Sequence, residues 1–373
     1  MTTNKRPIHL PDLRYDCLQC GKGCEIRWTI VVTPETAEGI RQGGPGQRLI
    51  REGYTPIESL EDGLQVIGRR QDGSCLFLQE DRLCAIHAEQ GFGAKPRPCR
   101  QFPFHPINTP EGYVIGMSFL CSAVQRDSGR PLEEHRADIE VAVEELGLEH
   151  PPSELRELAI PLGPGLAVSW PLYRGVESRV LEFLGGQPLK QALWQAAASL
   201  GLAFLTHLNS ETPFELESFQ AVEPGPRPDQ VIRGLAGALI SVVEVPAGGL
   251  ARRAVAEAWS EGRPFYSPRL SAQLEPGDGP LPDWFDAQAR RYFEHVVFRK
   301  FLGHGSTLGR LFALSCLYEV LGFYTRAYAD GEIQVEHYYQ ALDTVEAELM
   351  LHADGLDAVY DHFQFSLLEV IDP

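Results

Sequence analysis

Cys17-Leu18-Gln19-Cys20-Gly21-Lys22-Gly23-Cys24 places three thiols within eight residues near the start of the chain. Two sulfurs separated by two residues can converge on one ion, so this spacing is that of a loop that wraps a metal. The glycine after Cys20 fits the same reading, since a backbone turning its amides toward a bound thiolate often needs positive φ. Four more cysteines follow by residue 121, and only Cys316 lies beyond. The imbalance predicts an α+β chain: a small cysteine-rich, metal-binding head with short strands and helices over residues 1–130, then a mostly α-helical domain over 131–373.

Working outward, the head contains Cys17-x2-Cys20-x3-Cys24 and then Cys75-x8-Cys84-x2-His87-x11-Cys99-x21-Cys121. Seven thiols and one imidazole suffice for two four-coordinate sites, or for one iron-sulfur cluster with the remaining thiols structural. A redox dithiol is the competing reading of the first loop. Cys121, at the end of an apolar strand, also fits a small buried hydrophobe, and His87 fits a helix-end histidine as well as a ligand. His105 is a weaker candidate, and Cys316 sits in an apolar helix as core. Lys95, Arg97 and Arg100 either offset thiolate charge or form a solvated basic strip. Because three thiols cannot complete a four-thiolate site, the first loop must be closed by Cys75, Cys84, Cys99 or Cys121.

Composition bounds the function. The 373 residues are 43% hydrophobic, enough to bury more than one core. Residues 1–130 carry a net charge of +1 and the remainder −19, and so acidic a body disfavours nucleic acid and anionic membranes. The start lacks a signal-peptide apolar run, and no stretch of about 18 apolar residues occurs. A cytoplasmic protein is therefore expected, in which clustered thiols serve as ligands or redox groups rather than disulfides.

Along the head, Ile26 to Val32 alternates as a strand, Thr33-Pro34-Glu35 opens a helix, and Gly43-Gly44-Pro45-Gly46 reads as a turn. Leu64 to Ile67, Cys75 to Leu78 and Tyr113 to Leu120 read as strands, and Asp81 to Gln90 as a helix that sets Cys84 and His87 on one face. The three prolines between Lys95 and Phe104 predict an extended strip. Pro131 to Leu148 reads as a helix leading out of the head. Beyond it, eight helices are expected as an all-helical bundle: Tyr173–Leu184, Leu189–His207, Pro228–Val243, Ala251–Glu261, Trp284–Leu302, Thr307–Tyr328, Val335–His352 and Leu356–Val370. Pro- and Gly-rich stretches at 149–165, 223–227 and 275–282 read as loops or linkers, and the body's carboxylates and histidines as solvated faces.

The string CxxCGxxC, then CLFL, CAIH, KPRPCRQFPF and a later cysteine, resembles the zinc- or iron-chelating cysteine-cluster family written CxxCxxCC, which includes the flagellin lysine N-methylases. The likeness runs over about residues 15 to 121. It implies Cys17, Cys20, Cys24, Cys75, Cys84, Cys99 and Cys121 as candidate ligands, zinc or an iron-sulfur cluster as cofactor, and methyl transfer from S-adenosylmethionine to lysine on a protein substrate. The family has adjacent cysteines, whereas this chain has Gly23-Cys24-Glu25. No Rossmann-type glycine turn supplies a conventional cofactor site, and the x2-then-x3 cysteine order is the reverse of the Cys-x3-Cys-x2-Cys motif of radical enzymes. Beside the methylase stand a zinc- or cluster-stabilised protein-interaction module and an electron-transfer or metal-handling protein.

Overall fold

The computed structural model describes residues 6–26, 28–145, 159–210, 213–223, 225–246, 248–277, 279–351 and 355–371. The chain divides into two compact units, Met1–His150 and Pro151–Pro373. The fold is α+β.

In the N-terminal unit a three-stranded sheet has Gly112–Met117 at its centre, with Phe104–Thr109 antiparallel on one side and Ile8–His9 parallel on the other. A second sheet sets Gln65–Ile67 between Val31–Val32 and Ile57–Ser59. Arg14–Tyr15 pairs with Arg130–Pro131, so the residues just before the cysteine loop lie beside those just after Cys121. The core gathers Ile30, Val32, Ile40, Ile57, Ile67, Leu76, Phe77 and Ile86, and Cys75, Cys84, Cys99 and Trp28 pack against it.

Several local expectations change. The cysteine loop turns through a short helix, Lys22–Glu25, and the strand after it shrinks to Val31–Val32, because Arg69 draws the Ile26 and Trp28 carbonyls into side-chain hydrogen bonds instead of a ladder. Gly43 caps a second helix, Gly44–Arg51, with Pro45 in its first turn, where a missing N–H costs nothing. The strip between Lys95 and Phe104 likewise contains a helix, Arg97–Gln101, because Pro96 falls at its cap and Pro98 in its first turn. Cys75 to Leu78 forms no strand, only the isolated bridges Arg69–Cys75 and Leu78–Cys84, and the helix expected from Asp81 is confined to Ala85–Gln90. After residue 131 a 3₁₀ turn, Leu132–His135, leads into the helix Arg136–Glu145, which packs on Phe104–Thr109 and Arg97–Gln101. The rest of that expected helix, to Leu148, lies outside the described residues, as does most of the linker expected at 149–165.

The C-terminal unit is built on the helix Thr307–Ala327, nearly all of it buried. Ser306 caps it, accepting from the Gly309 N–H at 3.2 Å, and Leu189–Leu208, Asp229–Glu244, Val335–Glu348 and Asp357–Ile371 pack around it. The expected helices occur with small shifts at their ends, except that the one from Trp284 stops at Phe298 and a 3₁₀ turn covers Phe301–His304. His352 lies outside the described residues. The unit is not purely helical: Ala159–Gly163 pairs with Leu166–Ser169, and Phe265–Ser267 with Ala272–Leu274. Nor are its charges all solvated. Buried Glu346 accepts from Arg299 at 2.6 and 3.0 Å and from the Tyr292 hydroxyl at 2.7 Å, and buried Glu177 accepts from Lys300. Among the described residues, no helix is long and apolar enough to cross a membrane.

Candidate metal centre

All seven head cysteines line one cavity of about 520 Å³ in the N-terminal unit. The loop that carries the first three is shaped by Gly21, which takes φ +70°; a Cβ there would stand 2.8 Å from the Arg82 carbonyl oxygen. Arg82 in turn donates to the Cys20 carbonyl at 2.8 and 2.9 Å and pairs with Glu25, clamping the loop onto the 79–84 turn.

The thiols fall into two sets. Cys24 belongs with Cys75: the Cys75 N–H donates to the Cys24 carbonyl at 2.8 Å, and the Cys24 thiol hydrogen-bonds the Cys75 sulfur. Cys84 reaches the same place because the Leu78–Cys84 bridge and the Ala85 N–H to Phe77 carbonyl bond (2.9 Å) fold residues 75–85 back on themselves. Cys99 comes from the Arg97–Gln101 helix, which Arg100 ties down through the Gly93 and Lys95 carbonyls. Cys75 is within electrostatic reach of Cys99 and Cys84, and Cys99 of Cys24 and Cys84. Together these four form the core set.

The remaining three form an edge set. The Cys20 sulfur lies 3.8 Å from the Ser122 hydroxyl, Lys22 Nζ donates to Gln125 at 3.0 Å, and Cys121 is within electrostatic reach of Cys17 and Cys20. Within the one cavity the loop is shared, Cys17 and Cys20 lying toward Cys121 and Cys24 toward Cys75.

Electrostatics follow the geometry. Hydrogen bonding to Cys75 and then burial hold the Cys24 thiol protonated well above the usual range, while the bond from Cys24 and the Phe77 N–H pull Cys75 below it. Burial pushes Cys99 up to about 12, partly offset by Lys95 and Arg69. Burial pushes Cys121 up to about 11 against the Val124 and Ala123 N–H groups, although no formal side-chain cap closes there. Burial also raises the Tyr15 hydroxyl, and negative charge on Cys121 and Cys17 adds to it.

Of the other residues singled out by sequence, His87 is in the cavity wall with its ring edge-on to Phe92, 5.7 Å away. His105 sits opposite Gly116 in the sheet and outside that wall, and Cys316 is fully buried in the central helix of the other unit. Lys95 offsets thiolate charge at Cys24 and Cys99, whereas Arg100 is spent on carbonyls. Arg69, Arg82 and Tyr15 were missed by sequence reasoning, because no spacing rule links an isolated arginine or tyrosine to a distant thiol.

A four-thiol donor set, three of its members packed against a hydrophobic core, with cations beside it, has the chemistry of a zinc- or iron-thiolate site. The sulfurs stand apart from ligating separations: among the described residues no three His, Cys, Asp or Glu side chains are placed to hold one ion as they stand. Residues 16–122 match the CxxCxxCC family, described as a "putative zinc- or iron-chelating domain". The head resembles a CxxCxxCC domain. The match contains all seven head thiols and leaves the C-terminal unit uncovered. On the pattern CxxCxxCC, Cys17, Cys20 and Cys24 take the first, second and fourth positions and Gly23 the third. No curated protein and no solved structure matches the chain.

Proposed function

We propose that the CxxCxxCC head is a metal-stabilised domain in which Cys24, Cys75, Cys84 and Cys99 hold one mononuclear zinc or iron ion. The observation that carries this reading is the shared cavity wall of Cys24, Cys75, Cys84 and Cys99, in which the Cys75 N–H donates to the Cys24 carbonyl at 2.8 Å and Cys75, Cys84 and Cys99 pack against the apolar core. In a tetrahedral site with Zn–S bonds of about 2.3 Å, neighbouring sulfurs lie about 3.8 Å apart, a hydrogen-bonding separation for thiols. Ligands of an iron-sulfur cluster are spread around a larger object, so the close pairing of Cys24 with Cys75 favours a single ion. Such an ion joins the first loop to the 75–85 fold and the Arg97–Gln101 helix, and its binding free energy becomes folding free energy.

What the residues do is hold and neutralise. Lys95 and Arg69 reduce the cost of gathering thiolates, and the Phe77 N–H favours charge on Cys75. Methyl transfer from S-adenosylmethionine, and a protein partner docked by the acidic body, are further proposals that rest on the family resemblance and on charge alone. Metal and acid-labile sulfide analysis of anaerobically purified protein, with Cys84→Ser beside it, tests the reading. Zinc or iron without sulfide, diminished in the variant, supports it; iron with equimolar sulfide, or unchanged metal in Cys84→Ser, overturns it.

A further inference from the structure

The spacing of the first loop offers Cys17, Cys20 and Cys24 to one another as redox partners, but the fold gives Cys24 a different neighbour. Among the described residues, Cys24 and Cys75 are the two cysteines joined backbone to backbone, the Cys75 N–H donating to the Cys24 carbonyl at 2.8 Å. A backbone bond of this kind sets the two Cα atoms about 5–6 Å apart, inside the range that a disulfide spans. Both residues line the same cavity, so both thiols open onto one space. The Cys20 sulfur lies instead 3.8 Å from the Ser122 hydroxyl, and Arg82 holds the Cys20 carbonyl at 2.8 and 2.9 Å.

The juxtaposition of Cys24 and Cys75 is built in rather than incidental. One nitrogen of Arg69 donates to the Ile26 carbonyl at 2.8 Å and to the Gly73 carbonyl at 2.7 Å, so a single guanidinium ties the residue two after Cys24 to the residue two before Cys75. On the first side Trp28 Nε1 donates to the Gly23 carbonyl at 2.9 Å. On the other, Arg70 donates to the Cys75 carbonyl at 3.0 Å. Both cysteines are free and only partly enclosed, in a cavity of about 520 Å³ that admits a small oxidant.

We propose that Cys24 and Cys75 are a redox modification site, which a hydroperoxide closes into a disulfide that ejects the core-set ion. The ejection rests on the reading of the core set as a metal site; the bond itself does not. One sulfur attacks the peroxide, the O–O bond breaks, the alcohol (water from hydrogen peroxide) leaves, and a sulfenic acid remains. The second sulfur attacks that sulfur, the S–S bond forms, the S–O bond breaks and water leaves. Two thiols have then lost two electrons and the peroxide has gained them, and the two thiol protons end in the alcohol and the water. Where the sulfurs start as metal-bound thiolates, solvent supplies those protons. An ion left with Cys84 and Cys99 keeps two of its four thiolates and passes into solution.

The test treats the full chain, purified anaerobically with its metal, with one equivalent of hydrogen peroxide. Peptides are mapped after alkylation without reduction, and released metal is followed with a coloured chelator. The expected result is the loss of two thiols, Cys24 linked to Cys75 as the first disulfide formed, and release of one ion per chain, with the thiols restored by a phosphine. A first disulfide between Cys17 and Cys20, or sulfinic acid without any intramolecular disulfide, would sink the assignment. A Cys24–Cys75 bond formed with the ion retained would refute the ejection. The same mapping on reduced, chelator-stripped chain should give the same first bond. Failure of the metal reading looks different: a chain that carries no metal as isolated and still links Cys24 to Cys75.

Discussion

At the scale of single residues, identical cysteines have unequal work because their surroundings differ. Cys75, Cys84 and Cys99 pack on a hydrophobic core, Cys17 faces solvent, and Cys316 is sealed in the helical interior of the C-terminal unit. Replacing Cys99 by serine is expected to remove one metal ion per chain, while Cys316→Ser leaves metal content unchanged; elemental analysis of both decides it. The metal-free folded head holds Cys99 and Cys121 protonated, at about 12 and 11 against an ordinary value of 9.0. A pKa raised in the fold contributes stability that is complete below the unfolded value and lost as pH rises through the folded one, so these thiols favour the metal-free head below about pH 9 and cease to by about pH 11 to 12. Cys75, lowered, acts in the opposite sense. Metal must displace the protons on Cys24 and Cys99, so loading at neutral pH should release protons into a weakly buffered solution, and affinity should rise with pH. Loading with no proton release would contradict that assignment.

At the scale of elements, most of the body's helices were legible from the spacing of apolar residues, because helices that must cover one another announce their faces. Turns and caps were less legible. Pro96 and Pro98 argue for an extended strip unless the register of the helix they begin is known, and Gly43 to Gly46 looks like a stop when it is a start. The candidate ligands were legible as residue types, but not their division, since the partners of Cys24 are set by contacts over fifty residues away. Buried Glu177, Glu244 and Glu346 were hidden too, because a carboxylate on a helix reads as solvated until its partner is known. Glu346→Ala would strand Arg299 in the interior, and the expected loss is about 3–5 kcal/mol by chemical denaturation. Close packing of the central helix offers another check. A Cβ at Gly309 would stand 2.4 Å from the Tyr360 carbonyl oxygen, so Gly309→Ala should force Thr307–Ala327 away from Asp357–Ile371. Overpacking of this kind costs about 1–3 kcal/mol, and a variant of unchanged denaturation midpoint would refute the contact.

At the scale of the whole molecule, the two compact units depend on different physics. The C-terminal unit has a long buried helix and its own paired interior charges. The head joins short strands, short helices and many turns, and its four core-set thiols come from separate segments of chain. Removing metal with a chelator under reducing conditions should therefore increase hydrogen exchange across residues 17–121 and leave the Thr307–Ala327 helix protected. Equal loss of protection in both units would mean that metal supports the body as well. The central claim is that Cys24, Cys75, Cys84 and Cys99 gather around a single mononuclear ion. Extended X-ray absorption of the anaerobically purified Cys121→Ser chain, with the edge set so disabled, tests it most directly: four sulfur neighbours at about 2.3 Å with no metal–metal scattering are predicted, and a metal–metal shell or fewer than four sulfurs would contradict the account.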